Sequence, residues 1–161
     1  MGAYEAAGKS NEWFTPKYVF DAMQVRFDLD VAHPEQRTYV PCDEYYTSGS
    51  LEKEWKGFVW MNPPFGNQRT KELWIRKFIK HANGVTLLPD RTSAPWWHEF
   101  TEAAEYILFF KGKPKFIRPD GTIGNQPGNG ACLFGIGPKA LQALTNAHIN
   151  GLGLLTQKMI N

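Results

Sequence analysis

The chain has 161 residues, enough for one compact domain with a real core, and its 42% apolar and 21% charged residues describe an ordinary globular protein. A formal charge of +2 excludes a strong overall basic field, so any nucleic-acid contact has to come from local patches. Cys42 and Cys132 stand alone, no histidine has ligand spacing, and neither a membrane-length apolar run nor a signal-peptide pattern is present. No metal, disulfide framework or membrane is therefore expected, and the cytoplasm is the default compartment.

Residues 1–11 show no sustained periodicity and read as a flexible tail ahead of a domain spanning 12–161. Thr15 is placed to cap a helix with Pro16 at its first position, and Val19, Phe20 and Met23 share one face over residues 17–25. Phe27-Asp28-Leu29-Asp30-Val31-Ala32 alternates apolar and acidic before His33-Pro34, which predicts a short first strand with Asp28 and Asp30 on one face. Residues 34–56 carry few signals. Tyr45-Tyr46-Thr47 is strand-like, and residues 51–55 fit a single helical turn.

The most informative stretch is residues 57–66, Gly-Phe-Val-Trp-Met-Asn-Pro-Pro-Phe-Gly. Phe58 to Met61 form an apolar run bulky enough for a buried strand. Pro63 and Pro64 lack N–H groups and end it, leaving carbonyls without ladder partners. Asn62, Pro63, Pro64 and Phe65 therefore make a stiff loop with an amide, carbonyls and a ring. A planar base with an exocyclic amine suits that set: it would stack on Phe65 while the Asn62 and Pro63 oxygens accept its two N–H hydrogens. The bland alternative is a strand-terminating turn.

A helix follows over residues 68–83, with Leu73, Trp74, Phe78 and Ile79 at helical spacing and Gly84 as its stop. Residues 85–89 predict a buried strand, 90–94 a loop, 95–104 a helix opening on two tryptophans, and 105–110 a third strand. Residues 115–118 and 131–136 read as two arms around a Gly-rich segment, 138–147 as a closing helix, and 151–160 as an edge strand or irregular tail. Alternating strands and helices imply a mostly parallel sheet with helices on both faces, whose ligands bind beyond the carboxyl ends of the strands. Three segments end on that rim: Asp30 and its followers, Asn62–Phe65, and Pro89–Thr92.

Asn-Pro-Pro-Phe resembles the catalytic tetrapeptide of amino-methyltransferases. Together with Glu-Trp-Phe-Thr-Pro, Phe-Asp-Leu-Asp-Val-Ala, Tyr-Tyr-Thr, Leu-Leu-Pro-Asp-Arg-Thr and Trp-Trp-His, it makes residues 11–136 similar to the phage-type DNA N6-adenine methyltransferases of the Dam group. The resemblance implies an α/β, Rossmann-like methyltransferase domain that uses S-adenosyl-L-methionine, in a phage or restriction–modification setting. It implies Asn62, Pro63, Pro64 and Phe65 as catalytic residues. It implies Trp13, Thr15, Pro16, Asp30, Ala32, Tyr46 and Thr47 around the cofactor, Asp30 receiving its ammonium group, with Asp43 a further candidate for its adenine or ribose. Two departures stand out: Val31-Ala32-His33-Pro34 has no glycine, and Ser48-Gly49-Ser50 lacks an acid before Leu51.

The implied substrate is double-stranded DNA with the target adenine flipped out. Contacts to it are expected from Arg69 in residues 66–71, from Arg91 and Thr92, from Trp96 and His98, and from the basic run that includes Lys113 and Lys115. Cytosine N4, RNA or a protein glutamine amide are alternative acceptors. A non-catalytic DNA-binding protein is the alternative of a different class, and the glycine-free turn favours it.

Overall fold

The computed structural model describes residues 14–36, 38–64, 68–124 and 130–159. Expectations for the tail, for Trp13 and for Phe65 lie outside these. The described residues form four helices and a seven-stranded sheet in the order β2-β1-β3-β4-β6-β5-β7. The strands are β1 (Phe27–Asp30), β2 (Cys42–Tyr45), β3 (Val59–Met61), β4 (Gly84–Pro89), β5 (Tyr106–Phe110), β6 (Ala131–Ile136) and β7 (Gly153–Gln157). The helices are α1 (Lys17–Met23), α2 (Gln68–His81), α3 (Pro95–Ala103) and α4 (Pro138–Ile149).

Strands β2, β1, β3 and β4 pair in parallel, while β6 and then β7 run against their neighbours. The result is the expected mostly parallel α/β sheet with an antiparallel flank. Each face is covered by two helices. Val19, Phe20 and Met23 of α1 join Ala140, Ala143 and Leu144 of α4 over Phe27, Trp60, Val85 and Leu133. On the other face Trp74, Ile75 and Phe78 of α2 join Trp97 and Phe100 of α3 over Leu29, Val59, Met61 and Phe134. Two-sided burial is why β3 and β6 are apolar throughout instead of alternating.

Several local expectations change, each for a physical reason. Thr15 does not cap α1: Pro16 occupies that position and no side chain caps the helix. Gly84 does not stop α2 but begins β4. A Cβ there would lie 2.6 Å from both Cγ2 and the carbonyl of Val59, so close strand packing is what requires glycine. Residues 115–118 do not pair with 131–136. The six buried apolar residues of β6 instead fill the slot between β4 and β5, and Ile117 bridges Phe14 and Ile123. Residues 50–53 form turns without a helix, and β2 begins at Cys42 and ends at Tyr45.

The alternation in β1 also breaks. The amides of Asp28 and Leu29 both donate to the Phe58 carbonyl, at 2.8 and 3.4 Å, so Phe27 and Leu29 enter opposite core layers. Asp28 is consequently structural: its Oδ2 accepts the Phe58 N–H at 2.7 Å. Gly57 has φ +70°, and a Cβ on it would come within 2.3 Å of that carboxylate.

Candidate active site

From β1 the chain crosses to β2 on one side, then returns past β1 to β3 on the other. The crevice beyond the carboxyl ends of β1 and β3 is thus the topological switch point of the sheet, where α/β sheets bind ligands. A cleft of about 270 Å³ opens there, lined by residues that include Asp30, Ala32, Thr15, Asn62, Pro63 and Pro64. Register explains the juxtaposition. Asp30 is opposite Trp60 in the β1–β3 pair and opposite Tyr45 in the β1–β2 pair, so Asp30, Tyr46 and Asn62 leave the sheet on one rim.

Asp30 is 2% exposed. Its Oδ1 accepts the Ala32 N–H at 3.1 Å, an Asx turn that reverses the chain right after the strand. The Val31 N–H goes to the Trp60 carbonyl at 3.1 Å, and the Tyr46 N–H to the Asp30 carbonyl at 2.9 Å. No residue from 31 to 34 has a positive φ, so this turn closes without glycine. Burial pushes the Asp30 carboxyl up to about 7, against the opposing pull of the Ala32 amide. Among the described residues no cation is paired with it.

Asn62 is half-buried and Pro63 buried, with Pro64 exposed. The prolines end β3 as expected, and the Met61 carbonyl accepts the buried Thr86 hydroxyl at 2.8 Å. Asn62 Nδ2 donates to Thr15 Oγ1 at 3.2 Å. Thr15 is held there because Phe20 of α1 packs edge-on against Trp60 of β3, with ring centroids 4.9 Å apart. The capping signal in the sequence thus resolves into a contact with the residue that follows β3.

Tyr46 and Thr47 also line the cleft. The Tyr46 hydroxyl donates to the Glu54 carbonyl at 3.0 Å, and Lys53 Nζ lies 4.9 Å from the ring centroid. Asp43 does not join them. Its carboxylate is on the outer side of β2, 2.5 Å from Arg26 Nε. Pro16 is buried and outside the lining. Residues that sequence reasoning missed include Ser50, Trp74 and His33. Ser50 is buried, with Trp55 Nε1 donating to its carbonyl at 2.9 Å and to its hydroxyl at 3.0 Å. Trp74 read only as helix core; its place at the cleft depends on how α2 packs and left no local signal.

A family model described as DNA N-6-adenine-methyltransferase (Dam) matches residues 5–141. The chain belongs to the Dam family. It is 27% identical over 113 residues to a DNA N-6-adenine-methyltransferase of Haemophilus phage HP1 (strain HP1c1), covering 65% of this chain and 65% of that relative. The match thus spans a little under two thirds of the relative's length. No solved structure matches the chain.

The Dam-family match takes in β1 through β6 and the start of α4, and so both strands that build the cleft. Arg69, Arg91, Thr92 and His98 are exposed, as are Lys113 and Lys115, and none of them lines the cleft. Trp96 and Trp97 are instead both core residues at 5% exposure, so neither provides a free ring for stacking. Lys71, at the end of the 66–71 segment expected to meet DNA, lies with its Nζ 5.1 Å from the Trp96 ring centroid. Burial, and then the neighbouring charge of Arg91, lower its pKa. Among the described residues no three His, Cys, Asp or Glu side chains are grouped to hold a metal ion. No described helix is long and apolar enough to cross a membrane.

Proposed function

We propose that the protein transfers a methyl group from S-adenosyl-L-methionine to N6 of an adenine flipped out of double-stranded DNA. The observation that carries this reading is the pairing of Asp30 and Asn62 at the ends of adjacent parallel strands, in one cleft at the switch point. A buried carboxylate with no cation paired to it among the described residues fits a ligand ammonium. The hydroxyls of Thr47 and Ser48, with the Tyr46 ring, fit a ribose and base beyond it. S-adenosyl-L-methionine would supply an electrophilic methyl group on its sulfonium.

The chain's own residues meet the acceptor. The lone pair of an adenine amine is delocalised into the ring, so the nitrogen is a weak nucleophile. The Asn62 side-chain oxygen and the Pro63 carbonyl would accept its two N–H hydrogens, favour pyramidal nitrogen, and stabilise the positive charge that grows during attack. Asp30 would fix the donor end by its ammonium, and the rigid Pro63-Pro64 backbone would hold the acceptor in line. Phe65 completes the proposal as the stacking ring. A base inside a duplex cannot enter this cleft, which calls for flipping. The glycine-free first turn, which favoured a non-catalytic protein, has a sufficient cause in the Asp30–Ala32 hydrogen bond.

On this reading the protein works on DNA in the cytoplasm of a bacterial host. Incubation with labelled S-adenosyl-L-methionine and unmethylated duplex DNA, followed by nucleoside analysis, tests it. N6-methyladenine is the expected product. Label in N4-methylcytosine, in RNA or in protein, or no transfer with undiminished DNA binding, overturns it.

A further inference from the structure

A second cleft, of about 420 Å³, lies beside the first and is lined by Phe14, Thr38, Tyr39, Ile117, Pro119 and Gly121. Phe14 and Thr38 belong to both clefts and form the partition between them. That partition is rigid. Phe14 and Ile117 exchange two backbone hydrogen bonds, at 2.8 and 2.9 Å, and Phe14 is buried. The next residue along, Thr15, is bonded to Asn62. The second cleft is therefore one wall away from the reactive amide.

Its chemistry differs from that of the first. Among the described residues no lining side chain is charged. What it offers is apolar surface, two hydroxyls and one large ring. Tyr39 is 48% exposed, and among the described residues its ring and hydroxyl have no partner. An exposed, unpacked tyrosine on a cleft wall is a surface for a flat, neutral ring.

The flank is basic. Lys115 is exposed two residues before Ile117, with Lys111 and Lys113 exposed before it. Arg118 braces the turn instead, donating to the Ile123 carbonyl at 2.9 Å and the Thr122 hydroxyl at 3.3 Å. The acid of this segment, Asp120, is turned onto Thr122, accepting from its amide at 2.9 Å and its hydroxyl at 2.6 Å. Cations along the approach and an aromatic platform beside a neutral slot are the combination by which proteins hold unstacked nucleotides.

We propose that this cleft receives a second base of the substrate strand, the neighbour of the reacting adenine, stacked on Tyr39, while Lys115 meets the adjoining phosphate. The inference rests on the DNA methyltransferase reading above. Extruding one adenine exposes the face of its neighbour, and the shared Phe14 wall sets the two bases in adjacent compartments.

The test uses the full chain and a duplex carrying one target adenine, with 2-aminopurine as the neighbouring base. Tyr39→Ala should raise the KM for DNA roughly tenfold, the usual loss for one stacked base, and leave S-adenosyl-L-methionine affinity unchanged. Tyr39→Phe, which keeps the ring, should behave as wild type. The fluorescence change of 2-aminopurine on binding should be lost in Tyr39→Ala and kept in Tyr39→Phe. Unchanged DNA KM and fluorescence in Tyr39→Ala overturn the inference, as does a loss shared equally with cofactor affinity. A wild-type protein that binds this duplex but transfers no methyl group to it overturns the functional reading instead.

Discussion

The Thr15 hydroxyl accepts an N–H of the Asn62 side chain at 3.2 Å, joining the entry of α1 to the exit of β3 across 47 positions of chain. A carboxamide is nearly symmetric in shape, and a half-turn exchanges its donor for its acceptor. With Nδ2 turned to Thr15, Oδ1 becomes the end directed away from it. On the proposed function an amine substrate needs an oxygen there, and the bond to Thr15 is one of the contacts that hold the amide in that orientation.

Thr15→Val keeps the volume and removes the acceptor. The turnover number should fall about tenfold, in keeping with one hydrogen bond of roughly 1.5 kcal/mol, while the melting temperature moves little. Thr15→Ser should restore most of the rate. Single-turnover measurements on one duplex decide it, and a Val variant as fast as wild type would remove Thr15 from the mechanism.

Asn62→Ala should cost far more. Asn62 closes β3 without filling the core, so the fold and cofactor affinity should persist while methyl transfer drops roughly a hundredfold to a thousandfold, the usual loss for one preorganised partner. Asn62→Asp retains an acceptor and adds negative charge opposite the developing positive nitrogen, so it should keep some activity. Near-normal transfer by the Ala variant would return Asn-Pro-Pro-Phe to a structural turn.

Strands were legible where burial dictates composition. Val59-Trp60-Met61 and the apolar run of β4 announce strands covered on both faces, and the prolines after Met61 mark the rim. Asp30 and Asn62 could both be placed at the cleft for the same reason: each ends a strand, and strand ends converge in a parallel sheet. Local rules failed where a partner distant in sequence decides. Thr15 looks like a helix cap, yet its hydroxyl is spent on Asn62. Gly84 looks like a helix stop, yet Val59 across the sheet demands it. Asp43 was offered in place of the acid missing before Leu51, and it is instead paired with Arg26.

Lys71 and Arg91 raise a prediction about DNA. Two cations held close enough for one to lower the other's pKa repel each other, and an anion between them would relieve that. Replacing either by alanine should weaken DNA binding uniformly across sequences and reduce the slope of log affinity against log salt by about one. Titrations at several salt concentrations measure this. An unchanged slope in both variants would place the phosphate contacts elsewhere.

The last prediction concerns Asp30, whose two roles pull in opposite directions with pH. Folding raises its carboxyl from an ordinary 3.8 to about 7, chiefly through burial. Below pH 4 both folded and unfolded chains carry the proton, so this stabilising contribution is fully present. Between pH 4 and 7 the unfolded chain ionises first, and the contribution is lost as pH rises through the folded value. Above pH 7 the folded protein holds a buried charge that no cation among the described residues pairs with, at a cost of about 4 kcal/mol at most. Asp30→Asn can keep an oxygen for the Ala32 amide and carries no charge. It should melt close to wild type at pH 4 and several degrees higher at pH 7.5. Cofactor binding should show the reverse trend. A ligand ammonium needs the ionised carboxylate, so wild-type affinity should fall as pH drops below 7, approaching tenfold per unit, whereas Asp30→Asn should bind weakly at every pH. Calorimetric titration between pH 5.5 and 7.5, with melting curves in the same buffers, measures both. A flat wild-type affinity would remove Asp30 as the ammonium anchor, and an Asn variant no more stable at pH 7.5 would mean that burial does not raise its carboxyl.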